Sequence, residues 1–320
     1  MTIAVQIRHF FKKINKSSPF LLALSGGGDS ACLWHLLREH HIPHQVAHVD
    51  HGWREESAKE ALELKQQALS WGVPFHLKKL EMEGEVANLE EKARLERLAF
   101  FREICLKEGL QGVLMAHHND DLAETVLKRL FESAPIEKLG GMQERSLWEG
   151  VFLLRPLLNA SKKQILAYNQ EYAVSYFEDA TNRDERFLRA RLRGRLLPLL
   201  SEHFGKEIAS SLAQLGRESF ELREYLSEQV AAFEYLIEEN KREWILDLSQ
   251  EMSVYLKRQL IKQFFEKVGL PQNRFVGQSC LDAILGGKSN WKIELAGAEL
   301  RVHHGKIYRE KKEPAIEKKS

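Results

Sequence analysis

Phe20-Leu21-Leu22-Ala23-Leu24-Ser25-Gly26-Gly27-Gly28-Asp29-Ser30 is the stretch that decides the fold of this chain. The apolar run at its start is typical of a buried strand, and Leu33, Leu36 and Leu37 after it repeat at helical spacing. The glycines between strand and helix leave a turn of almost bare backbone. Because glycine permits close approach of a ligand and the first N–H groups of a helix lack an internal partner, the turn can bind an anion.

Polar side chains flank these glycines. Ser25 and Ser30 add hydroxyl donors, and the Asp29 carboxylate could hold a magnesium ion on the bound anion. The loop lacks the Gly-Lys-Ser/Thr ending of a Walker A motif and is not the G-x-G-x-x-G of dinucleotide folds.

Ser-Gly-Gly-x-Asp-Ser instead resembles the pyrophosphate loop of the N-type ATP pyrophosphatases, enzymes that split ATP to AMP and pyrophosphate. The alternative is a glycine turn without a ligand. The resemblance implies that ATP is bound by the whole loop: Ser25, Gly26, Gly27, Gly28, Asp29 and Ser30.

Length and composition narrow the class of protein. A chain of 320 residues is long enough for two domains, and 43% hydrophobic with 29% charged residues is ordinary for a globular protein. The net charge of +1 does not by itself indicate nucleic acid, so an RNA site must lie in local clusters. Cys32, Cys105 and Cys280 form no C-x-x-C pair, which argues against a disulfide framework, a zinc site or an iron–sulfur site.

No apolar run approaches the roughly 20 residues that cross a bilayer, so no membrane association is expected. Met1 to Asn15 lacks the continuous apolar core of a signal peptide. We interpret it as the first helix of a cytoplasmic enzyme.

From residue 20 to about 179, strand-like and helical runs alternate. This alternation predicts an α/β fold, a Rossmann-like parallel sheet with helices on both faces. The predicted strands are Leu21–Ser25, Gln45–Asp50, Val73–Leu77, Val113–His117, Val151–Leu154 and Val174–Phe177. The predicted helices between them are Ser30–His41, Glu55–Trp71, Val86–Gly109, Asp120–Glu132 and Lys162–Tyr172.

In such a sheet, ligands bind beyond the carboxyl ends of the strands. Polar residues follow three of these ends, at Ser25–Ser30, Asp50–Arg54 and His117–Asp121. Arg54 suits a phosphate or RNA contact, although a solvated arginine is a competing interpretation. Nothing in the spacing of His48 and His51 favours a metal over a strand end followed by a turn.

The third strand end is the richest. His117 and Asp121 are four residues apart, which can bring an imidazole and a carboxylate to one side of the turn for proton transfer. The simpler interpretation is a helix cap, with Asn119 and the acidic pair in the first turn. Arg94 heads an apolar helical stripe and either reaches water or meets an anion.

The order of these motifs resembles the tRNA(Ile)-lysidine synthetase family, over roughly residues 22–200, and implies an adenine nucleotide alpha hydrolase-like fold. The matching runs are Ser25–Ser30, Asp50-His51-Gly52, Ala93-Arg94, His117-His118-x-Asp120-Asp121, Arg155-Pro156-Leu157-Leu158, Asp179-x-Thr181-Asn182 and Arg189-x-Arg191-Leu192-Arg193.

The resemblance implies a two-step ligation that uses ATP and Mg²⁺. The wobble cytidine of a CAU-anticodon tRNA(Ile) is adenylylated with release of pyrophosphate, and free L-lysine then displaces AMP to give lysidine. In this scheme Asp29 helps to bind magnesium and pyrophosphate, and Arg94 balances developing negative charge. His117 and Asp121 move protons or orient the nucleotide.

The segment 183–195 is rich in arginine. Leu188, Leu192 and Leu196 can bury one face and leave arginines exposed to bind phosphates, although a solvated helix surface explains arginines too. With Arg54, the predicted RNA-binding residues are Arg189, Arg191 and Arg193.

One segment departs from the family pattern. Glu132-Ser133-Ala134-Pro135 stands where Arg-Gly-Ser-Gly is common, and Glu132 repels phosphate. Because of this departure, a second interpretation stays open: a relative of the family that binds nucleotide or RNA without catalysis. A PP-loop tRNA thiolase is a further alternative, but the scattered cysteines count against it.

Beyond residue 200 the pattern changes. Heptad-spaced apolar residues from Ile208 to Leu236 predict a long helix or helical hairpin that could contribute a homodimer contact. A further helix is predicted near 252–268 and a short β-hairpin around Ala296-Gly297. The predicted domains are therefore a catalytic domain at 1–205, a smaller mainly helical tRNA-docking domain at 206–310 and a charged tail at 311–320.

Overall fold

The computed structural model describes residues 2–12, 14, 18–50, 52, 57–80, 86–177 and 188–311, with the backbone alone for 86–90. The chain divides into two compact units, Met1–Phe220 and Glu221–Ser320. Of the predicted features, Arg54, the Asp179 motif and all but the first residue of the charged tail lie outside the described residues.

The first unit is built on a mostly parallel sheet. Its strands are β1 (Phe20–Ala23), β2 (His44–Asp50), β3 (Phe75–Lys79), β4 (Val113–Leu114), β5 (Arg145–Trp148) and β6 (Val151–Leu154). They lie in the order β3-β2-β1-β4-β6-β5, with β5 alone antiparallel to its neighbour. The α/β fold class is confirmed. The predicted strand at 174–177 is wrong, because this stretch leaves the sheet and the Phe177 N–H donates instead to the Gly26 carbonyl at 3.0 Å.

Helices cover both faces of this sheet. In the described part of the unit they are α1 (Ile3–Lys12), α2 (Gly28–Glu39), α3 (Ser57–Ser70), α4 (Val86–Glu108), α5 (Asn119–Phe131), α6 (Lys162–Glu171), α7 (Leu188–Arg191) and α8 (Leu197–Phe204), followed by α9 (Ile208–Ala232). One core lies under α1, α2, α3 and α6, and a second lies under α4. The predicted domain boundary at residue 205 falls in the turn before α9, whereas the two compact units divide within that helix.

The strand order determines where a ligand site can form. Strand β1 pairs with β2 on one side and with β4 on the other, so the chain turns in opposite directions from neighbouring strands. A crevice opens beyond the carboxyl ends of strands at such a switch point. The loops that follow β1 and β4 therefore meet at one edge of the sheet.

In its described part, the second unit contains the end of α9, an antiparallel sheet of five strands and two further α-helices. The strands and the two further helices are β7 (Ile237–Glu239), β8 (Glu243–Asp247), α10 (Val254–Lys267), α11 (Arg274–Leu285), β9 (Trp291–Leu295), β10 (Ala298–His303) and β11 (Lys306–Glu310). The predicted hairpin is β9–β10, which turns through Ala296 and Gly297, both with positive φ. The unit contains more strand than the predicted mainly helical domain, because β7, β8 and β11 extend that hairpin into a sheet whose apolar side chains pack against α10 and α11.

Among the described residues, no helix has both the length and the apolar character that a membrane-spanning segment requires.

Helix α9 approaches the chain at Gly140 very closely. A Cβ at Gly140 would lie 2.3 Å from the Gly216 carbonyl oxygen, and the Gly140 N–H donates to the Ser219 hydroxyl at 3.1 Å. Since backbone cannot move aside as a side-chain tip can, Gly140→Ala must displace α9. We expect it to lower the free energy of unfolding by about 1–3 kcal/mol, as overpacking does.

Urea denaturation measures this loss, and Gly194→Ala is the matched control because a Cβ at Gly194 meets no atom within 4 Å. A Gly140→Ala protein as stable as the Gly194→Ala protein would contradict the close packing described here.

Candidate active site

The glycine loop joins β1 to α2 through a residue that only glycine suits. Gly26 has φ +88°, and a Cβ there would lie 3.0 Å from the Phe177 ring. Gly27 is the N-cap of α2 and has no side-chain capping bond, so the first amides of the helix face the loop. Ser30 donates to the Gly27 carbonyl at 2.9 Å, and its hydroxyl lies 3.0 Å from that of Ser25. The loop thus has the open amides and hydroxyls of a phosphate site.

Asp29 carries the negative charge of this loop and already binds a cation. The Lys162 ammonium, at the first residue of α6, lies 2.5 Å from Asp29 Oδ1. The backbone N–H of the same lysine donates to Asp120 Oδ2 at 2.8 Å. Burial alone would raise the pKa of Asp29, but its partners His118 and Lys162 lower it to about 2, so the carboxylate is ionised at neutral pH.

His118, rather than His117, lies among the carboxylates. Its Nε2 is 3.6 Å from Asp29 Oδ2 and 3.5 Å from Asp121 Oδ2, and its Nδ1 is 3.5 Å from Asp120 Oδ2. The residue is 1% exposed and is the N-cap of α5. Its backbone N–H donates to Asp121 at 2.9 Å, which fixes this carboxylate beside the ring.

The carboxylates determine the charge of this histidine. Burial lowers the pKa of His118, but the neighbouring carboxylates of Asp120, Asp29 and Asp121 raise it to about 9. The Asp120 N–H approaches Nδ1 at 3.3 Å, a bond that needs an unprotonated Nδ1. When both ring nitrogens of His118 are protonated, the hydrogen bond from the Asp120 N–H to Nδ1 is therefore lost.

A second group of charges lies one turn further along α5. Arg193 donates to Asp121 Oδ1 and to Glu124 Oε1, both at 2.6 Å. Glu124 is buried, and burial raises its pKa although Arg193 opposes the shift. Arg193, a predicted RNA-binding residue, thus forms ion pairs with Asp121 and Glu124 of α5.

The other predicted residues are more dispersed. The Arg94 guanidinium is half-exposed and pairs with Glu91 at 2.9 Å on the same helix. Arg189 and Arg191 lie on exposed positions of α7. Burial lowers the pKa of His117 and the charge of Asp121 opposes this, so the predicted pair lies within electrostatic reach.

At the carboxyl end of β2, two polar side chains make hydrogen bonds to the backbone. Asp50 is buried and accepts the Gly52 N–H at 2.8 Å. Burial alone would raise the pKa of Asp50, but hydrogen bonds from Ser57 and Gly52 lower it below its ordinary value. The His48 Nδ1 lies 2.8 Å from the Leu24 carbonyl, a bond that orients its ring toward the backbone.

Three residues of this cluster have no site role among the predictions from sequence: Lys162, His118 and Glu124. Lys162 follows the end of β6 and is 133 residues from Asp29, so only the rule that ligands gather at strand ends could have indicated it. His118 follows His117 directly, and neighbouring residues in extended chain point to opposite faces. Which of the two would face Asp29 depends on the register of β4, and spacing alone does not fix that register.

The carboxylates would suit a magnesium ion that a bound nucleotide shares. Mg²⁺ usually binds one or two protein carboxylates and completes its shell with phosphates and water. Asp29 Oδ2 and Asp121 Oδ2 lie 3.6 and 3.5 Å from His118 Nε2 and are carboxylate oxygens, the donors that Mg²⁺ prefers. Among the described residues, no group of three or more His, Cys, Asp or Glu side chains forms a complete metal site.

Comparisons with known proteins show the fold and the family of the chain. A solved structure, the U34-tRNA thiolase NcsA from Methanococcus maripaludis with its [4Fe-4S] cluster, superposes with a TM-score of 0.53 at 16% identity over 70% of this chain and 79% of that one, which shows a shared fold. The tRNA(Ile)-lysidine synthase of Chlamydia muridarum is 41% identical over 284 residues, 88% of each chain. That of Chlamydia pneumoniae is 41% identical over 281 residues, 87% of this chain and 88% of the relative. The PP-loop domain family matches residues 1–200. With the glycine loop and the strand-end cluster in place, the chain belongs to the tRNA(Ile)-lysidine synthase family of PP-loop proteins.

Proposed function

We propose that this protein is an ATP-dependent ligase that joins free L-lysine to the wobble cytidine of the CAU-anticodon tRNA(Ile), with AMP and pyrophosphate as products. The observation that carries the proposal is the meeting of Asp29 in the glycine loop with His118 and Asp121 at the end of β4. A phosphate site and a cluster of ionised side chains then lie side by side, in a chain about 40% identical to tRNA(Ile)-lysidine synthases over most of its length.

In the first step, the oxygen at position 2 of cytidine attacks the α-phosphorus of ATP. The bond to the bridging oxygen breaks, and pyrophosphate leaves. The open amides of α2 and the hydroxyls of Ser25 and Ser30 hold the leaving pyrophosphate. Asp29 and Asp121 would hold Mg²⁺, which neutralises charge on the phosphates when bound.

In the second step, the side-chain amine of lysine attacks carbon 2 of the cytidine, and AMP departs with the oxygen. The substrate arrives as an ammonium and must lose one proton, for which Asp121 is the proposed acceptor, before the free amine attacks. We propose that Asp121 and Glu124 receive that cation in exchange for the Arg193 guanidinium, from which both carboxylates accept at 2.6 Å.

The RNA itself requires a basic surface. Arg189 and Arg191 occupy exposed positions of α7 and are our proposed phosphate contacts, together with Arg54 and Arg193. The second unit is proposed to dock the tRNA.

We further propose that the heptad-spaced apolar residues of α9 contribute to a homodimer contact. Because ATP, lysine and tRNA are all present in the cytoplasm, we propose that the enzyme acts there.

The thiolase alternative receives no support from the cysteines. Cys32, Cys105 and Cys280 are buried in three different cores. Burial raises the pKa of each thiol to about 12, so these side chains are poor nucleophiles. A sulfur-transfer reaction needs accessible thiolates or a cluster held by neighbouring cysteines.

The proposed function is tested by measuring pyrophosphate release and lysine incorporation with purified components. We expect pyrophosphate release to require ATP and the CAU-anticodon tRNA(Ile), and sustained turnover to require lysine as well. A tRNA whose anticodon begins with uridine serves as control. Turnover that depends on a sulfur donor and not on lysine would contradict the proposal.

A further inference from the structure

Arg155 is a buried cation that the scheme above does not use. It follows β6 and is 8% exposed. Its Nη1 donates to the Gln143 carbonyl at 2.8 Å and to the Ser146 hydroxyl at 3.0 Å, both neutral acceptors. Its Nε is buried and has no hydrogen-bond partner among the described residues. A buried guanidinium normally pairs with an anion, so this one is left with an unbalanced charge.

The sheet register places His117 beside this arginine. Leu114 of β4 pairs with Leu154 of β6, and Leu153 and Met115 both belong to the core under α4. By the alternation of extended chain, Arg155 and His117 extend from that same face, two residues apart along neighbouring strands. The Nδ1 of His117 is also buried without a hydrogen-bond partner among the described residues.

Further positive charge surrounds the two residues. Burial and the nearby charge of Arg94 lower the pKa of Arg155 to about 10. The charges of Arg155, Arg97 and Arg189 act together with burial to lower the pKa of His117, and Asp121 acts in the opposite direction. Several cations therefore converge where two buried nitrogen atoms lack acceptors, which is the chemistry of a site for a phosphate ester.

We propose that Arg155 and His117 bind one phosphodiester of the substrate RNA, on the α4 face of the sheet edge. The inference deepens the proposed function and rests on it. An RNA phosphate is favoured over the phosphates of ATP because the glycine loop, Asp29 and Lys162 belong to the opposite face, with α2 and α6. This contact would position the anticodon strand, and the glycine loop would bind pyrophosphate.

Binding of a CAU-anticodon stem-loop RNA to Arg155→Met tests the proposal. We expect affinity to fall about tenfold or more, and the slope of log affinity against log salt to decrease by about 1, because one phosphate contact is lost. The KM for ATP should stay within about twofold of the original value, since phosphate contacts position only the group they touch. Arg145→Met is the matched control, because Arg145 is an exposed arginine opposite Leu154 in the same hairpin and stacks on Phe152.

The RNA phosphate can be identified by replacing single linkages of the stem-loop with neutral methylphosphonates. One linkage should weaken binding to the original protein and have no effect on Arg155→Met. A thermal unfolding transition shows whether Arg155→Met is folded. If it is not, Arg155→Lys replaces it, because lysine retains the charge and loses the planar fork. Neutralising that linkage should then weaken RNA binding by Arg155→Lys less than it weakens binding by the original protein.

Unchanged RNA affinity with a raised KM for ATP would assign the phosphate to the nucleotide and overturn the proposal, as would equal effects of Arg155→Met and Arg145→Met. Failure of the proposed function is distinguishable, because the unaltered protein would then form no lysidine on a tRNA that it binds.

Discussion

Asparagine in place of Asp29 is expected to lower ATP-dependent lysine incorporation about a thousandfold, the usual scale for loss of a group that organises charge at a reacting phosphate. The carboxylate is ionised because its partners outweigh burial and lower its pKa to about 2. Asparagine retains the shape and can still accept from Lys162, so the change removes the charge and little else. Incorporation of labelled lysine into a CAU-anticodon tRNA measures the effect.

A control for this variant is available in the same cluster. Asp120 also lies beside His118, and its Oδ2 accepts a backbone N–H, a bond that asparagine can retain. Asp120→Asn is expected to lower lysine incorporation much less, because Asp120 accepts a backbone N–H at the start of α6 whereas Asp29 lies at the phosphate site. Comparable losses in the two variants would show that the cluster acts only through its total charge, and an Asp29→Asn enzyme within tenfold of the original rate would contradict the assigned role.

Methionine in place of Lys162 should lower kcat/KM for ATP about a hundredfold, as loss of a charge-assisted phosphate contact does. The Lys162 ammonium binds Asp29 at 2.5 Å, beside the amides that face the phosphate site. When nucleotide phosphates and a cation reach Asp29, the ammonium is free to bind a phosphate oxygen. The parameter to follow is kcat/KM for ATP in pyrophosphate release.

Lys163 provides the matched control, since it is the next residue of the same helix and is exposed. Lys163→Met should leave the parameter unchanged, and Lys162→Arg should recover part of the loss, because it keeps the charge with a different geometry. If Lys162→Met and Lys163→Met behaved alike, the contact with Asp29 would be a surface ion pair of the ordinary weak kind.

The sequence predicts the first unit well because its signals are local. The glycine loop between an apolar run and a helical repeat predicts β1 and α2, and the alternation that follows predicts a parallel sheet. Bounds agree closely where apolar runs are uninterrupted, as at Val151–Leu154, which is both predicted and observed. The rule for strand ends then brings Asp29 and the His117–Asp121 segment to one edge.

What the sequence leaves open depends on register and on contacts between distant residues. Lys162 meets Asp29 across 133 residues, and Arg193 meets Asp121 across 72. No spacing rule links such positions. The choice between His117 and His118 depends on one residue of register in a strand of only two assigned residues.

The second unit shows the same limit for short strands. Strand β8 reads Glu-Trp-Ile-Leu-Asp, with apolar residues in a row and no alternation to separate strand from helix. It becomes a strand because β11 pairs along its whole length, from Asp247 opposite Lys306 to Glu243 opposite Glu310. Such pairing is non-local, so the sequence predicts the β9–β10 hairpin and misses the sheet around it.

The central claim is that the charge cluster at the sheet edge serves to attach lysine to a cytidine. Mass analysis of the wobble nucleoside, after incubation of the CAU-anticodon tRNA(Ile) with the protein, ATP and isotope-labelled lysine, tests it most directly. The account predicts that cytidine gains the mass of lysine less one water, with the label retained. An unmodified cytidine, or a nucleoside whose mass shift lacks the label, would contradict it.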